Sequence, residues 1–202
     1  MSAWYAIGAT GALAAVAAWK RGQLDLGPSA LALGSLGGLL ASDAASKIGS
    51  LAKADLKTRD SLVAVMVDLV ALYRLLQTLH WQSSGETSYQ DHLLFQRLYE
   101  DVPKEIDSTA ERLVGLFGEG SVDPGAIEAR VVRRITSWQE IPQPSVRALM
   151  AERDVLETLR SAALVFHEDP GTENLLQGFS DKHMEHAYLL QQRTKRASRR
   201  EE

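Results

Sequence analysis

The chain has 202 residues, 45% of them hydrophobic, which is enough for one globular domain and an extension. A formal net charge of −4 gives no general attraction to nucleic acid, so any such contact has to be local. The absence of cysteine excludes disulfides, thiolate metal sites and cysteine nucleophiles, fits a reducing compartment, and leaves His, Asp and Glu as the residues from which a metal site has to be built.

Composition divides the chain into an Ala/Gly-rich extension (1–55), a segment that alternates charged and apolar residues (56–193) and a charged tail (194–202). In the extension, "AWYAIGATGALAAVAAW" (3–19) has no charge, aromatic residues at both ends and Lys20 and Arg21 behind it. As a helix it would be about 25 Å long, close to the roughly 30 Å of a hydrocarbon core, and its flanks suit a membrane segment with its C-terminal side in the cytoplasm. Leu26 to Ser42 is a second uncharged run, with Gly34 and Gly38 spaced for close helix approach. Residues 1–42 therefore have two readings: a membrane anchor, or a helical arm that packs on the bundle or on neighbours. No positive side chain precedes the first apolar run, which argues against a cleaved signal peptide.

From Asp55 to Gln82, apolar residues from Leu62 to Leu79 recur at three- and four-residue steps and predict a long amphipathic helix. "SSGET" breaks it, Thr87 or Ser88 is placed to cap a second helix through Leu116, and "FGEG" stops that one. Pro103 lies inside the second pattern and predicts a bend or a lost hydrogen bond. Residues 118–145 form a long connection that carries its own short helix, "AIEARVVRRITSW". A third long helix is expected from about Ser145 to Phe166, with Leu149, Met150, Val155, Leu159 and Leu164 on its apolar face. A fourth runs from about Thr172 to Arg193 through Leu176, Phe179, Met184, Ala187, Tyr188 and Leu190. No alternating β pattern appears. The fold class is all-α: a four-helix bundle with a short helix in its one crossover, the ferritin-like topology.

On the second helix His92 and Gln96 are four apart, as are Asp107 and Glu111, so each pair shares a face. Fifteen residues separate the pairs, roughly 22 Å of helix, too far for one ion within one chain. A site that needs both requires a second copy lying antiparallel, hence a twofold dimer with two equivalent sites. His80 can join His92 if the short loop makes the first two helices antiparallel.

The run "LHWQSSGETSYQDHLLFQRLYEDVPKEIDSTAERLVGLFGE" (79–119) resembles the core motif of the Dps miniferritins, and "DPGTENLLQGFSDKHMEHAYLL" (169–190) resembles their last helix. The resemblance spans roughly residues 57–193. It implies that His80 and His92 of one subunit, with Asp107 and Glu111 of its twofold neighbour, bind iron. Trp81 would stand beside the metal. It further implies ferroxidase activity, preferably with hydrogen peroxide, storage of ferric mineral in a shell of twelve subunits, and a cytoplasmic location. Where the family usually has a carboxylate four residues after the second histidine, this chain has Gln96, a neutral and weaker ligand. The site is then a weakened or retuned one.

Other features read as ordinary structure. Tyr99 is expected in the core. "HMEH" (183–186) is expected on the surface, because His183 and Glu185 are two apart. The Glu-x-x-His pair of the larger diiron ferritins is absent, which argues against that branch. In the tail, Lys195, Arg196, Arg199 and Arg200 offer a weak, salt-sensitive DNA contact, offset by Glu201 and Glu202; a solvated helix end is the plainer reading. Two functions of different class follow: an iron-oxidising store that protects against peroxide, or an assembly or membrane-docking bundle with a degenerate site. DNA protection rests on the tail alone.

Overall fold

A computed structural model of the chain describes residues 28–198, with side chains described over 55–195. The chain forms two compact units, Met1–Lys53 and Ala54–Glu202. Among the described residues of the first unit all are helical, and the proposed membrane run at 3–19 lies outside the described residues, as do the side chains of Leu26 to Ser42.

The second unit is the bundle. Helix α1 (Pro28–Trp81) ends in it, followed by α2 (Ser88–Phe117), a 3₁₀ turn (Glu119–Ser121), α3 (Pro124–Gln139), α4 (Pro144–Val165) and α5 (Pro170–Ser198). No strand occurs among the described residues. The all-α bundle with a helix in its middle connection is the expected architecture. Asp55–Trp81 is apolar enough to cross a membrane, with mean hydropathy 1.8, but 67% of its most apolar window is buried inside the protein. It is the central core helix, and full burial of Leu62, Leu69, Leu72 and Leu76 contributes about 1.5–3 kcal/mol each.

Thr87 occupies the N-cap position of α2 but makes no capping bond to the backbone. Its hydroxyl instead donates to Asp91 Oδ2 (2.8 Å) and accepts from Arg193 Nη2 (2.7 Å), which ties the start of α2 to the end of α5. Helix α2 continues through Pro103, whose missing N–H leaves the Tyr99 carbonyl without its helical donor. It stops at Gly118, whose φ of 82° lies in the left-handed region that glycine adopts without strain.

Asp123 caps α3 by accepting from Ala126 N (2.6 Å), and Pro124 opens the helix where no N–H is needed. The crossover is fastened by a polar lock. Arg134 of α3 donates from Nε and Nη2 to buried Asp68 of α1 (2.5 and 2.6 Å), and Thr158 of α4 donates to the same carboxylate (2.6 Å). Trp138 Nε1 completes the lock by donating to Asp154 (2.8 Å).

Helices α4 and α5 pack together along their lengths. Their buried stripes run through Ala148, Glu152, Val155, Leu159 and Ala162, and through Thr172, Leu176, Phe179, His183, His186 and Leu190. This corrects the expected apolar faces: Met150, Leu164, Met184 and Tyr188 are exposed, because they lie off the buried stripes of their helices.

Candidate metal centres

The six-residue turn after α1 (82–87) folds α2 back so that His80 and His92 stack, ring centroids 3.7 Å apart and planes inclined by 27°. Each ring is held by the other's backbone. His80 Nδ1 lies 2.9 Å from the His92 carbonyl oxygen, and His92 Nδ1 lies 3.1 Å from that of His80. A carbonyl can only accept, so both Nδ1 atoms carry a proton, and Nε2 is the nitrogen that each ring has left for a metal. A metal-ligating imidazole has this pattern, with one nitrogen fixed on a carbonyl and the other bare. Tyr99 closes the back of the pair edge-on to His80, centroids 5.3 Å apart, and packs against the core, half-buried.

Arg193 braces the same end of the bundle through Asp91, Nε to Oδ1 at 2.5 Å and Nη2 to Oδ2 at 2.9 Å. Burial pushes the Asp91 carboxyl up, but the bonds from Arg193 and Thr87 and the guanidinium charge outweigh it and hold the carboxyl below its usual range.

Asp107 and Glu111 do not join the histidines within the chain. They are exposed one turn apart on α2, and neither makes a hydrogen bond or ion pair among the described residues. Trp81, next to His80, is 67% exposed. Gln96 is half-buried and donates from Nε2 to Glu100 Oε1 (2.7 Å). Lys195 is exposed at the end of α5; the side chains of Arg196, Arg199 and Arg200 lie outside the described residues.

A second cluster lies in the middle of the bundle, and it overturns the surface reading of "HMEH". His183 and His186 are buried, while Met184 and Glu185 between them face outward. Three residues apart, the two histidines share one face of α5 and point inward. His183 bridges two buried carboxylates, Nδ1 to Glu152 Oε2 (2.7 Å) and Nε2 to Glu105 Oε2 (2.9 Å). His186 Nδ1 meets the other oxygen of Glu152 at 3.2 Å. Burial works against a charge on His183, but the Glu152 charge and the bonds to both carboxylates prevail and push its pKa up to about 10. Glu152 is held low by the same pairing, against its own desolvation.

Comparison with known proteins agrees with this architecture. Residues 59–199 match the ferritin-like domain of the Ferritin family, and the chain belongs to that family. Among solved structures it is similar to DpsC from Streptomyces coelicolor, at 26% identity and a TM-score of 0.60 over 70% of this chain and 86% of that one. The Dps of Thermosynechococcus elongatus superposes with a TM-score of 0.59 at 21% identity, over 69% of this chain and 91% of that one. Vibrio cholerae O1 Dps, described as a member of a broad superfamily of ferritin-like diiron-carboxylate proteins, gives 0.59 at 17%, over 69% and 89%. A Kitasatospora aureofaciens protein known as an uncharacterized protein in the bpoA2 5′ region is 33% identical over 101 residues, 49% of this chain and 67% of that one. The protein is a Dps-like miniferritin.

Proposed function

We propose that the protein binds ferrous iron between two antiparallel copies of itself and oxidises it. His80 and His92 of one copy supply two neutral nitrogens, and Asp107 and Glu111 of the other supply two carboxylates. The observation that carries this reading is the reciprocal clamp at His80 and His92, which engages both Nδ1 atoms and leaves both Nε2 atoms for a metal. The roughly 22 Å of α2 between His92 and Asp107 makes the partner necessary, and the unpaired, exposed state of Asp107 and Glu111 leaves them available to it.

The donor set suits both oxidation states of the substrate. Imidazole nitrogen binds ferrous iron well, while anionic oxygen favours the harder ferric product, so the carboxylates lower the cost of losing an electron. Hydrogen peroxide takes one electron from each of two ferrous ions and, with two protons, leaves as two waters. In this chain the backbone clamp holds the imidazoles in one orientation, with Nδ1 on a carbonyl and Nε2 left for the metal. Gln96 in place of a carboxylate removes one negative charge and weakens the hold on iron. Storage of the ferric product in a closed shell of twelve copies, protection against peroxide and a cytoplasmic location follow from the resemblance to the Dps proteins and are part of the same proposal.

The test is an anaerobic ferrous titration of the purified assembly followed by peroxide, with a His80→Ala/His92→Ala variant alongside. Saturable binding and rapid ferric formation, both lost in the variant, are expected. Equal binding by the two proteins contradicts the reading and leaves assembly as the function of the bundle.

A further inference from the structure

The central cluster is not needed for the interface site, since His92 and Glu105 are thirteen residues, about 20 Å, apart on α2. We propose that it is a second, intrachain metal site, which takes one divalent transition ion of the zinc or ferrous class on Glu152, His183 and His186.

Geometry comes first. One ligand atom from each of these three buried residues lies within 4.8 Å of the other two. The Glu152 carboxylate spans the two rings, 2.7 Å from Nδ1 of His183 and 3.2 Å from Nδ1 of His186. Bonds of about 2.1 Å set the ligands of one ion about 3–4 Å apart, so small rotations open the cluster around an ion. Two imidazoles and a carboxylate also form a recognised donor set for zinc and non-haem iron, with at least one position left for water or another ligand.

The outer contacts fit as well. An ion on the two Nδ1 atoms puts the ring protons on the two Nε2 atoms, and each of these faces a carboxylate. His183 Nε2 has Glu105 at 2.9 Å, and His186 Nε2 has Asp101 Oδ2 at 3.5 Å. A carboxylate behind each ligating imidazole fixes its tautomer and raises its basicity. Asp101 is itself anchored by Lys182 Nζ at 2.9 Å.

The ion-free arrangement has one unsatisfied atom. Among the described residues, His186 Nε2 is the buried side-chain nitrogen or oxygen without a hydrogen-bond partner, with the Asp101 carboxylate at the limit of reach, 3.5 Å away. A neutral His186 that donates from Nδ1 to Glu152 presents a bare Nε2 lone pair toward the Asp101 carboxylate. The opposite tautomer sets the Nδ1 lone pair against a carboxylate oxygen. An ion at Nδ1 removes both conflicts, because the nitrogen facing Glu152 then binds the cation, and the small rotation that admits the ion lets the other donate to Asp101. Buried polar groups are rarely left unpaired, so the orphaned nitrogen itself points to a missing partner.

The test uses the full assembly carrying His80→Ala/His92→Ala, which removes the interface ligands, stripped with a chelator and titrated with Co²⁺ alone. One Co²⁺ per chain is expected, with visible d–d bands, and Zn²⁺ is expected to displace it and raise the thermal midpoint by about 5 °C at a hundredfold excess over Kd. Adding His186→Gln removes the bands and the thermal shift while the far-ultraviolet helix signal stays. Substoichiometric Co²⁺, or bands unchanged by His186→Gln, overturns the proposal. If His186→Gln does not fold, Glu105→Gln decides: roughly tenfold weaker Co²⁺ binding is expected from loss of the outer carboxylate, and unchanged affinity overturns the proposal.

Discussion

Replacing Asp68 by alanine tests whether the crossover helix is held by its polar lock. The carboxylate is 3% exposed and accepts two bonds from Arg134 and one from Thr158. Removing one member of a buried, hydrogen-bonded pair costs about 3–5 kcal/mol, chiefly because the other charge is stranded. Arg134 is only partly stranded: it is 32% exposed, and Asp154 stands 3.7 Å from its Nη1. The expected loss is therefore about 3 kcal/mol, at the low end of that range. Urea unfolding at fixed protein concentration measures it, with the slope unchanged so that the shift in midpoint reports stability. The double variant Asp68→Leu/Arg134→Met removes both charges and is expected to recover most of the loss. A single variant within about 0.5 kcal/mol of the wild type, or a double variant no better than the single one, refutes the reasoning.

Acid stability has a sign that can be worked out at Asp91. Its folded pKa lies below 3.8, so the contribution of its pairing with Arg193 is fully present above that value and is lost as pH falls through the lower folded one. Asp91→Asn is expected to flatten the acid limb of the stability curve there, and a limb of unchanged slope argues against the pairing. Gln96→Glu is expected to tighten ferrous binding about tenfold by restoring a charged ligand. The same change lowers iron-free stability by about 0.2–0.5 kcal/mol, because Glu100 sits one turn away on the helix. Isothermal titration and urea unfolding separate the two effects.

Much of the fold was legible because its strongest signals are local. The three-four spacing from Leu62 to Leu79 and the turn residues around Gly85 and Gly118 mark helices whatever they pack against. His80 and His92 were legible as a pair, since a short turn between two helices brings the ends of both together. Their carbonyl clamp was not, because it depends on ring orientation. The central cluster was missed for a different reason. His183 and His186 occupy positions of the buried stripe of α5, yet the two-residue spacing of His183 and Glu185 suggested the surface, and Met184 and Tyr188 were placed in the predicted core instead. Period alone would have found the two histidines: 176, 179, 183, 186 and 190 continue one face of α5 without a gap. Thr87 likewise sits where a cap belongs, but Asp91 and Arg193 compete for its hydroxyl more strongly than the backbone does.

The central claim is that one site is completed by two copies of the chain, and subunit mixing tests it most directly. His80→Ala/His92→Ala and Asp107→Ala/Glu111→Ala variants are each purified, then dissociated and reassembled together at equal ratio, and peroxide-driven ferric formation is measured. Each variant alone is expected to be inactive. In a mixed twofold dimer one of the two sites receives all four native ligands, so random pairing restores about a quarter of the wild-type rate. A mixture as inactive as its components, although mixed assemblies form, would contradict a shared site.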